Sequence, residues 1–107
     1  MKGLGNLGNL MRQAKQIQEE WEKKQSEITA MRVDASSGGG MVTATVNGRG
    51  ELVNLVIEKE VVDPNEIEML IDLVLAAVQE AQKSAQELAQ EKLGPLAQAV
   101  KLPGMPE

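Results

Sequence analysis

Three sets of residues carry groups that could do chemistry. Gly38-Gly39-Gly40 offers a run of backbone amides of the kind that cradles phosphate. Such a loop needs a Lys-Ser/Thr pair and a helix after it, whereas Met41-Val42 opens a strand, so the triplet reads as a turn. Glu66, Glu68 and Asp72 bring carboxylates together at a helix start, where they complement the macrodipole. A magnesium seat would need further oxygen ligands that the sequence does not nominate, and no metal is expected. The third set is cationic: Lys2, Arg12, Lys15, Lys23 and Lys24 in the amino-terminal part of the chain.

The residues that are missing exclude more. The 107-residue chain has no His, Cys, Tyr or Phe, and its one Trp is Trp21. Without His the usual neutral-pH general base is absent, and without Cys there is no thiol nucleophile, zinc ribbon or disulfide. No nucleophile–base pair stands out, so no catalytic residue, cofactor or small-molecule substrate is expected. The longest apolar stretch, Met69 to Val78, is interrupted by Asp72 and is too short for a membrane span. No secretory h-region opens the chain, and the expectation is a soluble, cytoplasmic protein.

These groups must be positioned by three blocks. Leu7, Leu10, Ala14, Ile17, Trp21, Ile28 and Met31 step by threes and fours, with Lys24 filling one place, and predict a long helix over 7–31 with one apolar stripe. Its other side offers Lys15–Glu19, Glu19–Lys23, Glu20–Lys24 and Lys23–Glu27 as i,i+4 pairs. Residues 32–59 change to a period of two. Val42, Ala44 and Val46, then Val53, Leu55 and Ile57, alternate with their neighbours and predict strands, with a short first strand at Arg32–Ala35. Asn47-Gly48-Arg49-Gly50-Glu51 supplies hairpin-turn residues, which completes a three-stranded antiparallel meander.

Asp63-Pro64-Asn65-Glu66 reads as a capping box opening a second helix over 64–93. There Ile67, Ile71, Val74, Val78, Ala81, Ala85 and Leu88 form the stripe, and Gly94-Pro95 ends it, leaving 94–107 as a mobile tail. From Met69 to Val78 the helix is apolar on nearly every side, which predicts burial of Ile71, Val74 and Val78 against sheet and partner. The fold class is therefore α+β, one domain over 1–107. Two helices of about 37 to 42 Å cannot lie wholly on so small a sheet, so their ends must project. The Leu7–Trp21 and Ala81–Leu88 stripes are expected to pack as an antiparallel arm. An aromatic-poor core of this size favours extra burial in a second subunit, most simply a twofold homodimer.

Charge is unevenly distributed. The net value is −5, yet residues 1–32 carry six basic against four acidic side chains. Several ordered motifs, GNLMRQA (8–14), SGGGMV (37–42), NGRGE (47–51), Asp63-Pro64, EML (68–70), LAAV (75–78) and ELAQEK (87–92), make the chain resemble the YbaB/EbfC family of bacterial nucleoid-associated proteins over nearly its full length. The resemblance implies a homodimer with tweezer-like helical arms that holds double-stranded DNA with little sequence preference, and no catalysis. On that basis Arg12 and Lys15, on the outer side of the first helix, are the foremost expected phosphate contacts, joined by Lys2, Lys23, Lys24, Lys83 and Lys92. Gln13, Gln16, Gln82 and Gln86 are further candidates to hydrogen-bond backbone oxygens. Arg49 is open to three readings: a phosphate contact, a cap on a partner subunit, or a charged turn in solvent. Trp21 reads as an anchor of the arm or dimer contact rather than a base-stacking group. The chief rival is a protein–protein adaptor whose projecting helices bind another helix.

Overall fold

The computed structural model describes residues 2–99, with side chains over 6–95. The order is α1 (Lys2–Ala30), β1 (Val33–Ser37), β2 (Val42–Val46), β3 (Leu52–Ile57) and α2 (Ile67–Ala99), an α+β fold. The strands form one antiparallel sheet in the order β1-β2-β3, with Ala35 opposite Ala44 and Ala44 opposite Leu55. A register shift between Thr45 and Val46 lets Val46 face Leu52. Gly38–Gly40 forms a tight turn with all three residues at positive φ, a conformation that favours glycine.

α2 lies across one face of β1 and β2. The core consists of Val33, Val42, Ala44, Val46 and Val61 against Ala77, Ala81 and Ala85 of α2. Met31, Met41, Leu55, Ile57, Leu70, Leu73, Val74 and Val78 pack around them. The alanine stripe explains the closeness of this contact, since small side chains let a helix backbone approach the sheet. The Ser37 hydroxyl, donating to the Leu73 carbonyl, fixes α2 at one end of the sheet, and Gln82 Nε2 donating to Gly50 O at 3.0 Å fixes it at the other.

Several boundaries differ from expectation. α1 begins at Lys2 rather than Leu7, because Gly3 and Gly5 cost helix stability without forbidding it. β1 extends to Ser37. α2 begins at Ile67, not at Pro64: the Asp63 carboxylate accepts from Asn65 N–H at 2.9 Å, and the Asp63 carbonyl accepts from Glu66 N–H. This local turn competes with the helix and delays it, and Glu66 O accepts the first helical bond, from Leu70. At the other end α2 continues through Gly94 and Pro95 to Ala99. A proline deletes one backbone bond, and the helix-forming Leu96-Ala97-Gln98-Ala99 carries the helix on. Residues 100–107 of the expected tail lie outside the described residues.

The largest correction concerns the arm. Ala81 and Ala85 are fully buried in the sheet-facing core, so they do not line a contact with the far half of α1. Leu7, Leu10, Met11 and Ile17 stand exposed on α1. Periodicity identifies a stripe but not its partner, and the sheet took the alanines.

Candidate nucleic-acid interface

Where the cations stand follows from how α1 is tied down. Its last two turns hold its only buried or half-buried side chains among the described residues: Lys24, Gln25, Glu27 and Ile28. α1 touches α2, and the Ile28 carbonyl accepts from Gly48 N–H at 2.9 Å at the β2–β3 hairpin. Arg32 closes this helix end by donating from Nη1 to the carbonyls of Thr29 and Met31. Everything amino-terminal to that anchor leaves the body of the protein.

The overall dimensions are 78 × 26 × 17 Å, with a radius of gyration of 21.2 Å. A compact chain of this length would have about 13 Å. Helices of about 43 and 50 Å do not fit across the shorter dimensions, so both run near the long axis. α1 from Leu7 to Lys23 is exposed throughout and projects beyond the sheet. α2 passes the hairpin at Gln82 and extends about 25 Å farther.

Arg12 and Lys15 therefore stand on the free part of α1, both exposed. Lys23 is exposed nearer the base, and Lys24 is half-buried and pairs with Glu27 at 3.6 Å. That is the only ion pair among the described residues. The four i,i+4 pairs expected along α1 are thus open, as befits exposed pairs worth under about 1 kcal/mol. Lys2 is the first residue of α1, and its side chain lies outside the described ones. Lys83 and Lys92 are exposed on α2, on a helix that also bears Glu80, Glu87 and Glu91. No carboxylate precedes Glu19 in the chain, so the outer part of α1 is purely cationic.

Of the residues expected to pack between subunits or in the arm, Trp21 is 39% and Ile71 50% exposed, while Val74 and Val78 are half-buried against the core. The structure also gathers residues that the sequence reading did not join. Arg49, at the hairpin tip, lines one groove with Arg32, Gln25 and Thr29, and a second with Gln82, Gln86 and Gln90. Arg32 and Gln90 were not foreseen. The i,i+4,i+8 spacing of the three glutamines was the available signal.

Comparison with known proteins decides what this architecture belongs to. Residues 2–100 match the YbaB/EbfC DNA-binding family. The chain belongs to that family. YbaB/EbfC proteins are nucleoid-associated DNA-binding proteins, not enzymes. A nucleoid-associated protein of Thermodesulfovibrio yellowstonii is 57% identical over 101 residues, covering 94% of this chain and 89% of that one. One from Streptomyces griseus is 48% identical over 108 residues, covering 97% and 95%. The crystal structure of an uncharacterized Helicobacter pylori protein, HP0035, matches with a TM-score of 0.70 over 85% of this chain and 92% of that one, at 24% identity. This last likeness shows the YbaB/EbfC fold to be shared well below the level at which sequences align easily.

Proposed function

We propose that this YbaB/EbfC protein binds double-stranded DNA as a homodimer, with little sequence preference, through cations on its projecting helices. The observation that carries the reading is the stretch of α1 before Glu19, exposed at Arg12 and Lys15 and free of carboxylates in a chain of net charge −5. Arg12 and Lys15 are the main phosphate contacts, and Lys2, Lys23, Lys24, Lys83 and Lys92 add to them. Acidic surface elsewhere repels the DNA backbone and confines contact to the cationic surfaces. Cations that contact phosphates, which every sequence presents alike, favour weak sequence preference.

The homodimer is supported by apolar surface that one chain leaves open. β3 is an edge strand whose Leu52, Val53 and Val56 are exposed, and Ile67, Met69, Ile71 and Leu75 of α2 are exposed as well. An open strand edge beside apolar side chains favours a second copy as cover. Such a protein works in the cytoplasm on the nucleoid.

A gel-shift titration with duplex DNA at low and moderate salt tests the reading. With about four to six phosphates neutralised per dimer, log affinity falls against log salt with a slope of about −4 to −5. A slope near zero removes the mechanism. The adaptor reading has one observation in its favour, the exposed Leu7, Leu10, Met11, Ile17 and Trp21 on α1. Absence of any DNA shift at low salt would turn the balance to it.

A further inference from the structure

We propose that the β2–β3 hairpin tip is a second DNA-backbone contact, centred on Arg49 and lying at the base of the helical arms; this rests on the DNA-binding reading above. Arg49 stands between two grooves, and neither is lined by a carboxylate. In a chain with sixteen acidic residues, two grooves with no carboxylate in their lining, beside a guanidinium that is unpaired among the described residues, meet the local electrostatic condition for holding a phosphate.

The hairpin fixes the Arg49 backbone. Asn47 is buried, and its Oδ1 accepts from the backbone N–H groups of Arg49 at 2.9 Å and Glu51 at 3.1 Å. Asn47 Nδ2 donates to Glu51 Oε1 at 2.9 Å, which holds the turn's own carboxylate against Asn47. The exposed Arg49 side chain is thus presented from a rigid loop. Arg32 supplies a second cation in one groove, with its Nη1 already committed to the end of α1 and its remaining N–H donors open. In the other groove Gln82 is held by Gly50, and Gln86 and Gln90 follow at one-turn intervals. Their amides donate to phosphate or sugar oxygens without reading bases, and they add no charge to repel the backbone.

Duplex DNA binding by the full chain tests this with three variants: Arg49→Gln, Arg49→Lys and Lys59→Gln. Lys59 is exposed just beyond β3, whose Ile57 pairs with Val42 at the end of the sheet away from the hairpin, so Lys59→Gln removes the same charge at a remote place. Arg49→Gln should weaken binding about tenfold at moderate salt and make the salt slope less steep by about one per lost phosphate contact, Arg49→Lys should restore most of the slope, and Lys59→Gln should change both little. Equal loss in Arg49→Gln and Lys59→Gln, or none in Arg49→Gln, overturns the inference while leaving DNA binding intact. A wild-type protein that shows no salt-dependent binding overturns the DNA reading itself. Thermal melting of Arg49→Gln close to wild type, expected because this side chain makes no hydrogen bond within the described residues, assigns the loss to contact and not to folding.

Discussion

The backbone N–H of Gly48 donates to the carbonyl of Ile28 at 2.9 Å, and a Cβ placed on Gly48 would overlap that same oxygen and lie 2.6 Å from Ile28 Cγ2. The end of α1 and the hairpin touch backbone to backbone here. Glycine is required at position 48 by this close approach, whereas the positive φ of the turn falls on Gly50.

Gly48→Ala should therefore cost about 1–3 kcal/mol, through overpacking against a backbone that cannot move cheaply. Gly8→Ala, on the free part of α1 with nothing near its Cβ, should be neutral or stabilising to the helix. Urea denaturation of the two variants checks the contrast. Equal midpoints would mean that α1 is not anchored at Gly48.

Asn47→Ala removes a buried side chain whose oxygen accepts from two backbone N–H groups in a part-buried turn. The expected loss is about 1–3 kcal/mol. Fast exchange of the Arg49 and Glu51 amides should accompany it in hydrogen-exchange measurements. Protection unchanged from wild type would show that the turn is held by other means.

Ala81→Leu or Ala85→Leu inserts three heavy atoms between α2 and the sheet where no space is left, since both alanines are fully buried. Either should destabilise by about 1–3 kcal/mol or more. Ala76→Leu, on the exposed side of α2, is the control and should fall within about 0.5 kcal/mol.

Arg12→Glu/Lys15→Glu should leave helix content and melting near wild type, because both side chains are exposed and neither is ion-paired among the described residues. DNA affinity at low salt should fall at least tenfold, with a shallower salt slope. Unchanged affinity would remove these two residues from the interface.

Trp21 is the only tryptophan and is part-exposed in one chain. If it packs against the arm of a partner, dilution should shift its emission to the red over the same concentration range in which the mass, by light scattering, halves. Emission independent of concentration would place Trp21 outside the subunit contact.

Legibility differed between elements for physical reasons. β2 was read within its observed limits because it alternates apolar and polar residues, and β3, apolar at five of its six places, because every second residue, Val53, Leu55 and Ile57, marks one face after the hairpin turn. The helices were recognised but their ends were not. Asp63 could cap a helix or close a turn with the same carboxylate, and Pro95 could stop a helix or be tolerated in one. Nothing within either window selects between the outcomes. The cationic start of α1 was visible as an absence of acids before Glu19. The meeting of Arg32, Arg49 and the glutamine ladder was not, since it joins residues from three separate elements.

Composition and periodicity alone determined the element types, the lack of His and Cys, the excess length of the helices and the cationic lead of α1, because these are read from the chain itself without contacts between distant segments. Tertiary structure alone decided which surface claimed the alanine stripe, why residue 48 must be glycine and which cations share a groove. Those depend on distances between segments far apart in sequence. Periodicity can orient a face, but only the folded backbone brings its partner within contact range.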